Sequence, residues 1–199
     1  MCQLQGVYQD KNQQTAYVAL QVMRNYCGVE LSKEAIAKGF ADVCGLTGLR
    51  GRWEVLSQSP LTICDTGHNG HGVRYVAEQL RSLLTTLHNA TPCHTTLHNA
   101  TPTLHIILGM VNDKDIDTVL GLLPEEAVYY FTQPASARAL PAEQLHKKWQ
   151  SLYPDHTSNS SFALVREALE AAQEVATADD IIFIGGSNYV VGEVLRLYS

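Results

Sequence analysis

Arg52, Asp65 and His68 are the residues of this chain whose types and spacing best suit chemistry on an anionic ligand. Arg52 lies in the run Gly48-Leu49-Arg50-Gly51-Arg52-Trp53-Glu54, and eleven residues after Glu54 comes Asp65-Thr66-Gly67-His68-Asn69-Gly70. A guanidinium is always charged, and its planar fork of donors matches phosphate oxygens. The plain alternative for Arg52 is a surface ion pair with Glu54 or another carboxylate; otherwise Glu54 is expected to orient Arg52. Asp65 stands where an acidic side chain can accept hydroxyl hydrogen bonds from a ribose, or can cap the next helix by accepting backbone N–H groups. His68 lies in the same turn, near the positive end of that helix. At the other end of the chain, Gly185-Gly186-Ser187 leaves an apolar run and opens a helix. Its N–H groups and the Ser187 hydroxyl point at one spot, which is an anion site or simply a serine cap. Asn12 reads as the cap of the first helix. Asp113, Lys114 and Asp115 form an exposed turn in which Asp115 caps the following helix.

These residues need elements to hold them. Leu61-Thr62-Ile63-Cys64 is a short apolar, partly β-branched run bounded by Pro60 and Gly67, a buried strand that delivers Asp65 at its carboxyl end. In open α/β sheets ligands bind at that edge. Further strands are expected near 53–56, 104–111, 128–132 and 180–184, with helices near 72–84, 116–122, 141–152, 161–176 and 187–197. Alternation of this kind implies parallel pairing through right-handed crossovers. The class is α/β: a Rossmann-like, mostly parallel sheet flanked by helices, with an N-terminal helical appendage. In that appendage Ala16, Ala19, Leu20 and Met23 share one face of a helix from Asn12 to about Cys27. A second helix from Ser32 to about Val43 buries Ala35, Ile36 and Phe40. Neither has a sheet of its own to cover, so residues 1–44 read as a piece built to pack against something larger. The three glycines of residues 45–51 make a linker, and residues 52–199 form the main domain.

A balance of 14 Lys and Arg against 20 Asp and Glu, net −6, disfavours nucleic acid and anionic lipid as partners. The longest apolar runs fall far short of a membrane helix, and the N-terminus shows no basic-then-apolar signal, so a cytoplasmic location is expected. Five cysteines without a C-x-x-C pair suggest reduced thiols. Residues 85–92, Thr-Thr-Leu-His-Asn-Ala-Thr-Pro, recur unchanged at 95–102. Such a copy is too short for a solenoid and reads as a tandem duplication in a loop, where insertions cost little. It brings His88, Cys93, His94, His98 and His105 close together in sequence. The repeat accounts for the histidines without ligand geometry, so no metal site is expected.

Four motifs in order resemble the folylpolyglutamate synthase and dihydrofolate synthase family, relatives of the Mur ligases. Gly48 to Glu54 with Asp65 to Gly70 is similar to G-L-x-G-R-x-E followed by D-x-A-H-N-P, with Gly67 and Gly70 where the family has Ala and often Pro. Leu108 to Asp115 resembles the family's strand and D-K-D stretch, and Ile184-Gly185-Gly186-Ser187 its final strand and G-S turn. Gly6 to Ala16 resembles G-x-[HY]-Q-x-x-N-x-x-T-A, the last segment of the central ATPase domain. The resemblance implies an ATP-dependent ligase that adds L-glutamate to dihydropteroate or a folate through an acyl phosphate, with ATP and Mg2+ as cofactors and a monomeric state. It implies that Arg52 reaches the triphosphate, Asp65 the nucleotide and Asn12 the adenine. It further implies that Ser187 holds glutamate's carboxylate and that His68 lies by the incoming glutamate, binding a carboxylate or helping to position the amine. No G-x-x-x-x-G-K-[ST] occurs in the chain, so the lysine and backbone cradle for the β and γ phosphates are not here, and Mg2+ would be held mainly by the ATPase domain. The chain alone is expected to fold without turning over substrate. A Mur ligase domain of cell-wall synthesis and a non-catalytic Rossmann-like binding module are the alternatives.

Overall fold

Six short strands assemble into one sheet in the computed structural model, which describes residues 2–90, 101–112 and 115–198. The strands are β1 (Glu54–Gln58), β2 (Leu61–Cys64), β3 (Leu104–Leu108), β4 (Val128–Thr132), β5 (Asn159–Phe162) and β6 (Ile181–Gly185), in the spatial order β1-β2-β6-β3-β4-β5. All neighbours are parallel except β1, which runs antiparallel to β2 at the edge. Every residue of β3 and of β6 is buried. Both strands are covered on two faces, which is why they read as apolar runs, broken only by His105 in β3, rather than as alternating patterns.

Alternate side chains of those strands feed two separate cores. On one face Ile63, Ile106, Leu108, Phe131 and Phe183 pack against α4 (Gly70–Ala90), α5 (Ile116–Leu122) and α6 (Ala142–Leu152). On the other, Ile107, Ile182 and Ile184 pack against α7 (Val165–Val175) and α8 (Asn188–Leu197). The result is the three-layer α/β architecture expected, with helices on both faces of a mostly parallel sheet.

Two local readings differ in the sheet and its covering helices. Residues 161–162 are expected to open a helix, but with residues 159–160 they form β5, a polar edge strand that carries no apolar alternation. Its pairing to β4 and the bond from Tyr129 N–H to Asn159 Oδ1 at 3.2 Å make it a strand, and polarity suits an unpaired edge. The first copy of the repeat does not begin a loop, because α4 runs on through Ala90. Thr85 and Thr86 return their hydroxyls to the carbonyls of Arg81 and Ser82, both at 2.8 Å, so they do not compete for the helix backbone. Cys93, His94 and His98 lie outside the described residues, as do Asp113 and Lys114. Among the described residues no group of His, Cys, Asp or Glu could hold a metal ion, and no helix is long and apolar enough to cross a membrane.

The N-terminal segment comprises α1 (Gln9–Tyr26), α2 (Lys33–Ala41) and α3 (Val43–Thr47). Helix α3 takes up the first part of the expected linker, and Gly48 ends it in the left-handed region at φ 69°, as a residue without Cβ can. Gln9 is the buried residue of α1, while Tyr17, Val18, Val22, Met23 and Tyr26 are exposed. The helix meets the sheet domain near its first turn. Val7 N–H donates to Gln79 Oε1 at 3.0 Å, and Lys11 Nζ to the Tyr75 hydroxyl at 2.7 Å.

Candidate functional site

The loop that carries Arg52 is fastened on both sides of it. Gly51 is buried at φ 74°, where an added Cβ would meet Val191 Cγ1 at 2.7 Å and Thr66 Cγ2 at 3.1 Å. Its carbonyl accepts from Thr66 N–H at 3.0 Å and its N–H donates to Glu54 Oε2 at 2.7 Å. Trp53, on the other side, is buried with φ at 51°, an uncommon region for a bulky residue. Arg52 is exposed between these anchors, so its position is set while its guanidinium stays in solvent. The sequence expectation that Glu54 orients Arg52 is corrected. Glu54 Oε1 pairs with Arg50 Nε at 2.5 Å, because its other oxygen is committed to Gly51 N–H.

Asp65 leaves the carboxyl end of β2 and is 1% exposed. Its Oδ2 accepts from the Tyr8 hydroxyl at 2.5 Å and from Trp53 N–H at 2.8 Å, and its Oδ1 from Gly67 N–H at 2.7 Å. Burial pushes the carboxyl above its usual range; the three hydrogen bonds and the nearby Arg52 charge work against that rise. Asp65 does not cap α4. Asn69 does, taking Gly72 N–H on its Oδ1 at 2.9 Å. Burial and the Asp65 charge also push the Tyr8 hydroxyl up, so it remains a donor. The adjacent Cys64 thiol is pushed up to about 12, first by burial and then by Glu54 and Asp65, and is not a nucleophile.

His68 Nδ1 lies 2.8 Å from the Thr66 carbonyl. A carbonyl can only accept, so Nδ1 carries the hydrogen and Nε2 is the free position of the ring. Nε2 can accept a proton from an amine, or donate to a carboxylate once the ring is protonated.

Asn12, Arg52, Asp65 and His68 line one open cleft of about 230 Å3. The structure thus joins residues from α1, the loop before β1 and the turn after β2. Asn12 sits in the first turn of α1 rather than at its cap, with its Nδ2 donating to Gln9 Oε1 at 3.0 Å. Ser187 is not part of the lining. It is 2% exposed and its Oγ caps α8 by accepting Val190 N–H at 3.2 Å. Asp115 caps α5 as expected, holding Thr118 N–H at 3.2 Å and the Thr118 hydroxyl at 2.6 Å.

The structure adds Tyr8, Lys11, His71 and Tyr75 to the cleft. Tyr75 meets His71 edge-on with ring centroids 5.2 Å apart and Tyr8 at 6.4 Å, and the Lys11 ammonium lies 5.1 Å from the Tyr75 ring centre. An aromatic wall beside two cations suits a planar base linked to an anionic tail. The spacing of His68 and His71 across the start of α4 was the available sequence signal; nothing local marked Lys11 or Tyr75. A larger hollow of about 630 Å3 between α1 and α2 is lined by Tyr17, Arg24, Lys33, Ile36 and Phe40 among others, and contains none of Arg52, Asp65 and His68.

Comparison with known proteins follows the same lines. Residues 51–188 match the family described as Mur ligase, glutamate ligase domain. The dihydrofolate synthase/folylpolyglutamate synthase of Escherichia coli strain K12 is 29% identical over 188 residues, which cover 94% of this chain and 37% of that protein. The structure of E. coli FolC in complex with DHPP and ADP superposes with a TM-score of 0.70 at 28% identity, over 94% of this chain and 38% of that one. A bifunctional folylpolyglutamate synthase/dihydrofolate synthase with Mn, AMPPNP and L-glutamate bound does so with a TM-score of 0.67 at 28% identity, over 90% of this chain and 37% of that one. The chain therefore spans little more than a third of the length of these relatives. The family match covers more than half of the chain and includes Arg52, Asp65 and His68 of the cleft: this chain belongs to the Mur ligase family through its glutamate ligase domain.

Proposed function

We propose that this chain forms one wall of the active site of a folylpolyglutamate synthase/dihydrofolate synthase, an ATP-dependent ligase that adds L-glutamate to dihydropteroate or a folate. The observation that carries this reading is the single cleft shared by Asn12, Arg52, Asp65 and His68. Its volume, about 230 Å3, is below the ~300–1,000 Å3 of a complete small-molecule pocket, as suits a site whose other wall belongs to further protein. On this reading residues 1–44 are the end of the central ATPase domain. The exposed Tyr17, Val18 and Val22 on α1 support that, since they leave an apolar face to be covered. Residues 45–51 are the linker, and Gly48 and Gly51, both at positive φ, are its turning points. On the same reading the enzyme is cytoplasmic.

The chemistry divides into two transfers. A carboxylate oxygen of the pterin substrate attacks the γ-phosphorus of ATP and ADP leaves; the glutamate amine then attacks the acyl carbon, phosphate leaves, and the amine gives up a proton as the amide forms. Arg52 neutralises charge on the transferring phosphoryl group, and Asn12 reads the adenine edge against the Tyr75 ring. Asp65 offers a ribose hydroxyl the acceptor position that its three hydrogen bonds leave open. His68 Nε2 takes the amine's proton or binds the glutamate carboxylate. Ser187 can add only its hydroxyl hydrogen, because its oxygen is the α8 cap. Mg2+ has no ligand set among the described residues, so no step here runs through it.

The test is a titration of the 199-residue protein with ADP and with ATP, followed by amide NMR. Both nucleotides should shift the signals of Asn12, Gly67 and Tyr75 saturably, and Arg52→Ala should weaken ATP roughly tenfold while leaving ADP nearly unchanged. Shifts confined to other faces, or equal weakening of both nucleotides, would refute the assignment.

A further inference from the structure

We propose that Tyr8 is a positioning residue of the cleft: its hydroxyl, bound to Asp65, staples the segment that bears Asn12 to the loop that bears Arg52. The proposal rests on the reading of the cleft as a nucleotide site. Asp65 collects donors from three places in the chain, namely Tyr8 from the N-terminal segment, Trp53 from the Arg52 loop and Gly67 from its own turn. Tyr8 OH and Trp53 N–H share one oxygen, Oδ2, at 2.5 and 2.8 Å. Asn12 lies one helical turn beyond Tyr8, and Arg52 immediately precedes Trp53. The distance between the adenine-reading amide and the phosphate-reading guanidinium is therefore governed through one carboxylate oxygen.

The surroundings are built for this contact. Gly6 is buried, and a Cβ there would stand 2.7 Å from Tyr8 Cε1, so only glycine lets the Tyr8 ring fold back over the backbone. Gln9 N–H donates to the Gly6 carbonyl at 2.7 Å, which closes the turn on which Tyr8 sits. The flanking bonds of Val7 to Gln79 and of Lys11 to Tyr75 hold the same segment on α4. Tyr8 is thus held from both sides while its hydroxyl makes the inward bond. A histidine at this position would also present a ring N–H.

The titratable and charged groups around Asp65 are Tyr8, Arg52, Cys64 at the end of β2 and His68 in the following turn, with Glu54 acting on Cys64. Tyr8 supplies the largest of the pulls that oppose the rise of the Asp65 carboxyl caused by burial. Tyr8→Phe removes that donor and leaves the ring, the other groups and the Trp53 and Gly67 bonds in place.

The experiment follows the Asp65 carboxyl by 13C NMR across the acid range in wild-type protein, Tyr8→Phe and Tyr8→His, with ADP affinity measured at each pH. In Tyr8→Phe the Asp65 midpoint should rise by about one to two pH units, since a hydrogen bond to a charged group is worth that much. ADP should bind roughly tenfold more weakly near neutrality, and its affinity should begin to fall at a higher pH on acidification. Tyr8→His should restore part of both. An Asp65 midpoint that is the same in Tyr8→Phe overturns the positioning role, whatever ADP does. A midpoint that moves while ADP binds all three proteins with the same affinity also overturns the positioning role and leaves the nucleotide reading standing; a wild type that binds no ADP overturns the nucleotide reading on which the proposal rests.

Discussion

The backbone N–H of Trp53 donates to Asp65 Oδ2 at 2.8 Å, and this bond holds a buried tryptophan at φ 51° next to the exposed Arg52. Non-glycine residues persist in that region only where their surroundings over-determine them. Asp65→Asn replaces one of the two accepting oxygens by an NH2 group and sets donor against donor at Tyr8 and Trp53 or at Gly67. The expected cost is ~1–3 kcal/mol of stability. In a Trp149→Phe background, which leaves Trp53 as the chain's remaining tryptophan, its emission should shift to the red as the ring gains solvent. Unchanged emission together with an unchanged melting temperature would contradict the bond's role.

Gly51→Ala should be costly although alanine is small. Its φ of 74° strains any side chain, and the new Cβ would stand 2.7 Å from Val191 Cγ1 in the core under α8. A loss of ~1–3 kcal/mol is expected in denaturant melts. The same variant should weaken ATP binding, because the Arg52 loop is displaced with it.

Acid sensitivity should trace to His105. Burial holds its imidazole below the ordinary 6.5, against the opposing pull of Asp180, whose oxygen lies 3.7 Å from Nε2. Nε2 is buried without a hydrogen bond, while Nδ1 meets the Tyr130 hydroxyl at 3.1 Å. Between the folded midpoint and 6.5 the unfolded chain holds more protons than the folded chain, so stability rises with pH there and has its full value above that window. His146, packed on Phe131, is held down by burial and acts with the same sign. Lowering the pH from 7 to 5 should therefore reduce the melting temperature by roughly 2–4 °C for each kcal/mol lost. His105→Gln should reduce that slope relative to wild type; an identical slope would reject the assignment.

Trp149 tests the larger core. It is fully buried, with ring centroids 3.9 Å from Tyr129 and 4.4 Å from Tyr153, and its Nε1 has no hydrogen-bond partner. Trp149→Ala should cost ~3–5 kcal/mol. Trp149→Phe should cost less than half as much, since it keeps most of the ring contact and removes an unsatisfied donor. Chemical denaturation of the two variants side by side checks the order.

Much of the fold was legible because burial leaves a mark on composition. Ile181–Gly185 is apolar throughout and Leu104–Leu108 is apolar but for His105, and the helix over Ile116–Leu122 was expected with the bounds observed. Strand β5 was not legible, since its four residues, Asn-Ser-Ser-Phe, become a strand only by pairing with β4. Asn12, Arg52, Asp65 and His68 could be singled out because an arginine in a glycine-rich run and an Asp/His turn after a strand are local patterns. The company they keep could not. Glu54 was paired with Arg52 by proximity in sequence, yet the backbone at Gly51 turns that carboxylate to Arg50.

By itself the sequence determined the class of the fold, the strand that ends in Asp65 and the exposure of a lone arginine, because hydrophobic period and turn chemistry are properties of neighbouring residues. Only the tertiary structure decided that Tyr8 and Trp53, forty-five residues apart, meet on one oxygen of Asp65, and that Ser187 is spent on capping a helix away from the cleft. A carboxylate in a buried place must take whatever donors the packed layers bring to it. Which donors those are depends on how remote segments cross, and no local pattern records that.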